Sequence, residues 1–424
     1  MSFETISVIG LGYIGLPTAA MFASRKKKVI GVDVSQHAVD TINQGKIHIV
    51  EPELDMIVNA AVKEGYLKAV KVPEPADAFL IAVPTPFLHC EKGEVPAPDL
   101  SYIESASKAI APVLKKGDLV ILESTSPVGA TEQMAKWLSE ARPDLTFPQT
   151  HDERADINIA HCPERVLPGH VVRELVENDR VIGGLTPKCS QRSVELYKTF
   201  VIGDCVVTNA RTAEMAKLTE NSCRDVQIAF ANELSMICED LKIDVWELIA
   251  LANRHPRINI LQPGPGVGGH CIAVDPWFIV SKSPDTARLI HTARNVNDKK
   301  PYWVVDKLKS LAFDLLSKKR GKGLNDITVA CYGLAFKANI DDLRESPAML
   351  IASEISKLEF GKVLAVEPNI DETESVLNKV ELVELDCALE SADIHIILVD
   401  HDQFKGINID SEYVIDTKGI VNAK

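Results

Sequence analysis

Residues 6–33 read ISVIGLGYIGLPTAAMFASRKKKVIGVD, and this stretch decides the fold of the N-terminal part of the chain. A β-branched segment leads into Gly10, Gly12 and Gly15 in the spacing GxGxxG. A run of small residues follows, and a second β-branched segment ends at Asp33. This order predicts strand, glycine turn, helix and strand, the unit in which a helix N-terminus faces the pyrophosphate of a dinucleotide. A glycine turn that binds no ligand is the alternative.

Asp33 indicates which dinucleotide the unit would bind. Its carboxylate can accept hydrogen bonds from a ribose 2′-hydroxyl but would repel a 2′-phosphate, so NAD is favoured over NADP. Later strand-like segments end in VPTP (83–86) and STSPVG (124–129), and ligands of open α/β sheets bind at the carboxyl ends of strands. Turn-forming hydroxyls are the alternative at both places. The cofactor-binding candidates are Gly10, Gly12, Tyr13, Ile14, Gly15, Asp33, Thr85, Thr125 and Ser126.

The rest of the chain alternates strands and helices around a helical middle. AFLIAVPTP, DLVILESTSP and DINIAHCPE predict further strands, and residues 208–244 contain neither proline nor glycine, which predicts one long buried helix. Strand-like segments return after the basic stretch 317–327, which is typical of a linker. We therefore predict an α/β fold of two doubly wound parallel-sheet domains joined by a long central helix. The expected domains are 1–207, 208–316 and 317–424.

The composition narrows the classes of function. Hydrophobic residues at 46% and charged residues at 25% describe a soluble globular protein, and no run of about 18 apolar residues could span a bilayer. The net charge of −14 disfavours nucleic acid and anionic membrane surfaces as partners. Nine cysteines without a CxxC pair, behind an N-terminus without signal-peptide features, predict free, mostly buried thiols in the cytoplasm.

Residues 264–276 read GPGVGGHCIAVDP, a stretch too rich in glycine and proline for regular structure. Its glycines leave room for a ligand beside Cys271. In a dinucleotide enzyme, a thiolate that adds to an aldehyde forms a thiohemiacetal, which can lose a second hydride to give a hydrolysable thioester. Asp275 could orient a proton carrier. An inert buried thiol, or a metal ion held by His270, Cys271 and Asp275, is the alternative.

Three polar residues of the predicted long helix share one face. Lys217, Asn221 and Arg224 fall at i, i+4 and i+7. An ammonium such as Lys217 would stabilise the oxyanions of the reaction and help to keep a nearby thiol ionised. A solvated stripe or a structural ion pair is the alternative.

Five separated motifs match one family. GVGGHCIAVDP, AEMAKLTENSCRDVQIAFANEL, STSPVGAT, CPERVLPG and GLAFKANIDDLRESP stand in the expected order along essentially the whole chain. Together they resemble the UDP-sugar 6-dehydrogenases, the family of UDP-glucose dehydrogenase. The resemblance implies two Rossmann-like domains joined by a long helix that also forms a homodimer interface. It further implies oxidation of a UDP-hexose to a UDP-hexuronate with two NAD, through a covalent cysteine intermediate.

The resemblance also implies roles for single residues. Catalytic roles fall on Cys271, Lys217, Asn221, Asp275 and Glu164. Pro168 stands where UDP-glucose enzymes have a second glutamate, and this departure resembles the branch that acts on UDP-N-acetylhexosamines. In that branch the substrate-binding positions match Arg165, Val166, Lys217, Asn221, Arg224, His255, Arg257, Gly268, Phe336, Lys337 and Arg344. Arg257, Lys337 and Arg344 are the candidate cations for the pyrophosphate.

The resemblance implies UDP-N-acetyl-D-mannosamine as the substrate, oxidised to its uronate for a bacterial surface polysaccharide of the enterobacterial common antigen type. The same chemistry on UDP-N-acetylglucosamine or UDP-glucose is the nearest alternative, since the orientation of one hydroxyl is read by pocket geometry. A non-catalytic nucleotide-sugar sensor would need neither Cys271 nor Lys217. A single-step hydroxy-acid dehydrogenase would need neither the cysteine nor a second α/β domain.

Overall fold

The computed structural model describes residues 3–49, 51–88, 94–166, 169–269, 271–319, 321–370 and 377–423. Its contacts divide the chain into two units, Met1–Glu220 with Trp277–Ser283 and Asn221–Pro276 with Pro284–Lys424. The three domain boundaries expected from the sequence remain a prediction. No helix formed by the described residues has the length and apolarity to cross a lipid bilayer.

The first unit is built on an eight-stranded sheet with the order β3-β2-β1-β4-β5-β6-β7-β8. Its strands are Thr5–Ile9 (β1), Lys28–Val32 (β2), Leu67–Val70 (β3), Ala78–Ile81 (β4), Leu119–Leu122 (β5), Asn158–His161 (β6), Arg180–Gly184 (β7) and Cys205–Asn209 (β8). The connecting helices are Gly15–Ser24 (α1), Gln36–Asn43 (α2), Leu54–Lys63 (α3), Ser101–Ile110 (α4), Ala130–Ala141 (α5), Pro148–His151 (α6), Val171–Glu177 (α7) and Pro187–Tyr197 (α8).

The central strands β4, β5 and β6 of this sheet are buried on both faces, because helices cover each face, whereas the edge strand β8 is largely exposed. Along β5, Leu119 and Ile121 enter the hydrophobic cluster that contains α1, whereas Val120 and Leu122 enter the cluster that contains α4 and α5. Strands covered on both faces read as continuous apolar runs, and this is why these segments were recognisable in the sequence.

One pairing departs from the parallel sheet predicted from the sequence. β6 and β7 are antiparallel, with Ala160 opposite Gly184 and His161 opposite Gly183, while the other neighbours in the sheet are parallel. Antiparallel strands need no crossover between them, so β7 can return directly beside β6. Extended by three residues, the same register places Arg180 opposite Glu164.

Four helices follow β8 along the chain, namely Ala210–Leu241 (α9), Val245–Ala252 (α10), Asp275–Lys282 (α11) and Arg288–Lys318 (α12). The long helix predicted from residue 208 is therefore present, but the prediction that it is buried was wrong. Phe230, Ile237 and Leu241 are 53%, 45% and 63% exposed. The apolar residues of α9 lie on more than one face, and the chain covers only part of that surface.

The second unit contains a five-stranded parallel sheet with the order β11-β10-β9-β12-β14, and β13 pairs with β15 in a separate ladder. The strands are Thr328–Tyr332 (β9), Lys362–Val366 (β10), Glu381–Leu382 (β11), Ile394–Ile397 (β12), Asn408–Ile409 (β13), Val414–Asp416 (β14) and Asn422–Ala423 (β15). Two further helices are Pro347–Ser356 (α13) and Leu385–Ser391 (α14), and α12 packs on α13 beside the apolar face of β9.

The thiols are less buried than the sequence suggested. Among the eight cysteines that the structure describes, four are buried and Cys205 is half-buried, while Cys223, Cys271 and Cys387 are exposed. Cys223 lies on α9 and Cys387 on α14, and both side chains are on the solvent-exposed surface of their helices.

In both sheets, a carboxylate at the end of the second strand accepts backbone hydrogen bonds from the turn that follows the first strand. Asp33 follows β2 and accepts a hydrogen bond from Leu11 N at 2.9 Å, and Glu367 follows β10 and accepts from Leu334 N at 2.7 Å and Ala335 N at 2.9 Å. Burial raises the pKa of Glu367, but the hydrogen bonds from His401 and the two backbone amides outweigh it and hold that pKa below its ordinary value. Each carboxylate therefore fixes the turn that follows the first strand of its sheet.

Candidate active site

The glycine turn of the first unit combines a tight bend with an open cradle. A Cβ on Gly15 would stand 1.8 Å from Gly10 O, so only glycine fits where α1 begins. A Cβ on Gly12 would meet no atom within 4 Å, so the chain leaves space above the turn. Asp33 borders this cradle, and its half-buried carboxylate also accepts a hydrogen bond from Ser35 N at 2.8 Å.

The other predicted cofactor residues lie around the same strand ends. Ile14 caps α1 without a side-chain hydrogen bond, and the first turn of α1 contains no acidic residue, so its positive end suits a pyrophosphate. Thr85 Oγ1 is buried and has no hydrogen-bond partner among the described residues. Thr125 is half-buried, and Ser126 is buried and donates to Ser124 O at 3.1 Å. These features fit a bound dinucleotide.

In the second unit, hydrogen bonds at both ends of the cysteine loop connect it to the long helix, and at its first residue Gly264 N donates to Asn232 Oδ1 at 2.8 Å. Asp275 is the buried first residue of α11, and it accepts a hydrogen bond from Asn221 Nδ2 of α9 at 2.5 Å. Asp275 N in turn donates to Cys271 O at 2.8 Å. The exposed Cys271 is thereby fixed one turn before α11. His270 and Pro168 lie outside the described residues, within which no group of three possible metal ligands occurs.

Glycines hold the same loop against the segment that follows β9. A Cβ on Gly268 would stand 2.5 Å from Glu345 O and 2.8 Å from Phe336 Cβ, so the loop backbone lies directly on this segment. The structure therefore brings Gly268 and Phe336 together, as the substrate-site prediction requires. Any side chain at residue 268 would therefore require a shift of the loop or of the segment beneath it.

The predicted substrate-binding cations of the second unit lie at its surface. Arg224 on α9 and Lys337 are exposed. Arg344 is exposed and forms an ion pair with Asp342 of its own segment, with Nη2–Oδ2 at 2.6 Å. His255 and Arg257 are exposed in the segment after α10, where Arg257 N donates to His255 Nδ1 at 3.4 Å.

The predicted residues of the PE motif lie in the first unit, at the end of β6. Glu164 is buried, and its carboxylate lies 2.9 Å from Arg180 Nη1 and accepts a hydrogen bond from Arg165 N at 2.9 Å. The Arg165 guanidinium pairs with Glu220 of α9 at 2.6 Å. Val166 packs beside the hydrophobic cluster, and Lys217 is half-buried one turn before Asn221 on α9.

Three residues around Glu164 were not predicted from the sequence: Arg180, which forms an ion pair with Glu164, and Tyr197 and Glu123, which lie near Arg180. Tyr197 of α8 lies with its ring 4.5 Å from the Arg180 guanidinium carbon and donates a hydrogen bond to Glu123 at 2.6 Å. One signal was available, because Glu123 is a carboxylate directly after an apolar strand. No sequence signal pointed to Arg180 or Tyr197, since their proximity to Glu164 and Glu123 depends on the antiparallel register of β7.

These features suit a dinucleotide-binding protein with an exposed cysteine on a glycine loop. The chain belongs to the UDP-glucose/GDP-mannose dehydrogenase family. The NAD binding domain of that family matches residues 4–201, the central domain residues 211–299 and the UDP binding domain residues 330–423. The chain is therefore an NAD-dependent enzyme. The family, the α/β fold class and the NAD cofactor predicted from the sequence are confirmed.

Relatives of narrower function are similar over the whole chain. A UDP-N-acetyl-D-mannosamine dehydrogenase of Yersinia pestis is 66% identical over 99% of this chain and 100% of its own length. An NDP-N-acetyl-D-galactosaminuronic acid dehydrogenase of Ralstonia nicotianae is 63% identical over 100% of this chain and 98% of its own. The solved structure of a UDP-D-ManNAc dehydrogenase from Pyrococcus horikoshii is 37% identical, with a TM-score of 0.85 over 99% of this chain and 98% of that one.

The two glycines of the cradle should respond differently to alanine. Gly15→Ala introduces a Cβ at 1.8 Å from Gly10 O, so we expect a lower melting temperature and loss of NAD binding. Gly12→Ala leaves the melting temperature unchanged, because its Cβ enters open space, but weakens NAD binding by about tenfold or more, since that space takes the pyrophosphate. Thermal melting and NADH fluorescence titration measure the two effects. Wild-type NADH affinity in Gly12→Ala would contradict the assigned cradle.

Proposed function

We propose that the chain oxidises UDP-N-acetyl-D-mannosamine to UDP-N-acetyl-D-mannosaminuronate in two NAD-dependent steps. The observation that carries the proposal is the exposed Cys271, held on a glycine loop that the Asn221–Asp275 hydrogen bond anchors to α9. The names of the relatives from Yersinia pestis and Pyrococcus horikoshii support this sugar. The Cys271 loop supports a reaction that goes beyond the aldehyde.

In the proposed reaction, two hydrides are removed from C6 of the sugar and one water molecule is consumed. The first oxidation removes a hydride from C6 of the sugar and a proton from its hydroxyl, which leaves an aldehyde. NAD, when bound, supplies the hydride acceptor for both oxidations. The Cys271 thiolate adds to the aldehyde carbon, and the thiohemiacetal then loses its C–H hydride and its hydroxyl proton to become a thioester. Water cleaves the thioester and releases the uronate and the thiol.

The neighbouring polar residues are assigned to the charges that this route creates. Lys217 and Asn221, one turn apart on α9, stabilise the oxyanions formed before and after the thioester. Asp275 keeps Asn221 oriented through their hydrogen bond. Glu164, held by Arg180, supplies a fixed carboxylate for the hydrolytic water. These roles extend the sequence prediction and are part of the proposal.

The UDP moiety requires local cations, because the chain carries a net charge of −14. We assign the pyrophosphate to Arg257, Lys337 and Arg344, with Phe336 beside the Gly268 loop. The Arg344 guanidinium forms an ion pair with Asp342, so it must leave this carboxylate, or bind it and the pyrophosphate together, when the substrate binds. Such an exchange is consistent with a bidentate guanidinium that can turn from carboxylate to phosphate.

Three further parts of the proposal concern organisation and context. We propose the domains 1–207 for NAD, 208–316 for the centre and 317–424 for UDP. We also propose a homodimer through α9, supported by the exposed stripe of Phe230, Ile237 and Leu241 at i, i+7 and i+11. A cytoplasmic location is consistent with the exposed thiols of Cys223 and Cys387 outside any disulfide. A role in surface polysaccharide of the enterobacterial common antigen type rests on the resemblance alone.

A panel of nucleotide sugars tests the substrate. We expect the highest kcat/KM with UDP-N-acetyl-D-mannosamine, and a value at least about tenfold lower with UDP-N-acetylglucosamine, UDP-N-acetylgalactosamine and UDP-glucose. The galactosamine sugar is included because the Ralstonia nicotianae relative is nearly as similar. Absorbance of NADH at saturating NAD gives the rates. A preference for another sugar would overturn the substrate and leave the chemistry standing.

Replacing the nucleophile tests the covalent route. We expect Cys271→Ser to lower the rate of uronate formation by about 10³-fold or more, because a neutral hydroxyl is a far weaker nucleophile than a thiolate. UDP-sugar affinity, measured by calorimetry, should stay within about twofold, since Cys271 acts only after the first oxidation. The matched control is Cys387→Ser, which removes another exposed thiol from the second unit and should leave the rate unchanged. Normal uronate formation by Cys271→Ser would refute the route.

A further inference from the structure

A buried group of charged residues lies behind Glu164 in the first unit. Arg180 opens β7, Glu123 follows β5, and Tyr197 ends α8. Glu123 and Tyr197 are at most 1% exposed and Arg180 is 4% exposed, so water screens these charges little. Burying charged side chains costs free energy unless they pair with one another, so the contacts within this cluster determine how each charge is stabilised.

Two carboxylates of this cluster feel the charge of the Arg180 guanidinium, but only one of them contacts it. Arg180 Nη1 lies 2.9 Å from Glu164 Oε2, while Glu123 takes its hydrogen bond from the Tyr197 hydroxyl at 2.6 Å. Glu123 Oε2, Glu164 Oε2 and Arg180 Nε and Nη2 are buried and have no hydrogen-bond partner among the described residues, so the contact of Arg180 with Glu164 is an ion pair without a hydrogen bond. Arg180 Nη1 also lies 3.9 Å from Cys162 Sγ. The guanidinium is therefore in direct ionic contact with Glu164 and acts on Glu123 only through its charge.

The environment of Glu123 makes its charge variable near neutral pH. Burial raises its pKa to about 7, the Arg180 charge opposes this, the Glu164 charge adds to it, and the Tyr197 hydrogen bond opposes it again. The remaining titratable neighbour is Cys162, whose pKa is raised to about 12 chiefly by burial, so its thiol stays neutral throughout. Glu123 therefore exchanges a proton near neutral pH, within the working range of an enzyme.

We propose that Arg180 is a positioning residue for Glu164, and that the charge on Glu123 sets how strongly Arg180 holds the Glu164 carboxylate. The inference rests on the catalytic role proposed for Glu164. When Glu123 is protonated, the guanidinium serves Glu164 alone. When Glu123 ionises, the guanidinium is shared between two carboxylates, and Glu164 becomes a better acceptor for the hydrogen bond of an attacking water. The step that uses Glu164 should therefore accelerate as Glu123 loses its proton.

The pH dependence of kcat is the first readout. In the wild-type enzyme we expect kcat to rise through an inflection near pH 7, and Glu123→Gln should lose this inflection because its amide has no proton to release at that pH. Tyr197→Phe removes a hydrogen bond that favours ionised Glu123, so the inflection should move up by about 0.5–1 pH unit. Ionisations of Cys271 or Lys217 are common to the three proteins and cannot produce these differences.

The melting temperature gives a readout that does not involve activity. Because the folded pKa of Glu123 is raised above its ordinary value of 4.5, the folded protein binds this proton more tightly than the unfolded chain between about pH 4.5 and 7. The contribution of Glu123 to stability is therefore lost as pH rises through that window. The melting temperature of the wild type minus that of Glu123→Gln should fall from pH 5 to pH 8. The control is Glu177→Gln in the exposed Arg173–Glu177 pair, for which the difference should stay flat.

Variants of Arg180 and Glu164 separate the proposal from the function on which it rests. Arg180→Gln should lower kcat by about tenfold or more with KM for the sugar within about twofold, and Arg180→Lys should recover part of the loss. The proposal would be overturned if the inflection near pH 7 survived in Glu123→Gln, or if it did not move in Tyr197→Phe. If Glu123→Gln does not fold, Tyr197→Phe decides. Full activity in Glu164→Gln would instead overturn the role proposed for Glu164, while the melting-temperature difference still reports the titration of Glu123.

Discussion

The hydrogen bond between the Asn221 amide and the Asp275 carboxylate is the constraint on which the candidate active site depends. The Cys271 loop has almost no regular structure, yet a nucleophile must be placed within a fraction of an ångström to react. Asp275 N donates to Cys271 O, so the bond that fixes Asp275 to α9 also fixes the turn that carries the thiol. Gly268 completes the support by letting the loop backbone lie directly on Phe336. The loop that carries Cys271 is thereby held in place at Asp275 and at Gly268.

The two Rossmann-like sheets use the same carboxylate device for different ends. Glu367 is buried and accepts from two backbone amides of the turn after β9, from Asn369 and from His401, so both of its oxygens are engaged within the protein. Asp33 holds its turn with one backbone bond and remains half-exposed beside the open space at Gly12. The Asp33 carboxylate is therefore accessible to a ligand at the first turn, whereas the Glu367 carboxylate is occupied by the protein. This difference is consistent with the match of the C-terminal part to a UDP binding domain.

The features that were predicted from the sequence are those that depend on neighbours along the chain. The GxGxxG turn, the buried strands and the long helix have local signatures of spacing and composition. The antiparallel β7 could not be predicted, because strand direction is settled by how the whole sheet assembles. Its register delivers Arg180 to Glu164, so the cluster with Glu123 and Tyr197 was missed for the same reason. The exposed face of α9 was misjudged because the hydrophobic pattern does not say which partner covers each face.

The number of NADH molecules formed per UDP-N-acetyl-D-mannosamine consumed tests the central claim most directly. A thiol fixed by Asp275 and Asn221 has a function only if the aldehyde is captured and oxidised again. The account predicts two NADH for each sugar, with the uronate as the product and no aldehyde accumulating. One NADH per sugar, with an aldehyde as the product, would contradict it and would leave the anchored cysteine without a chemical role.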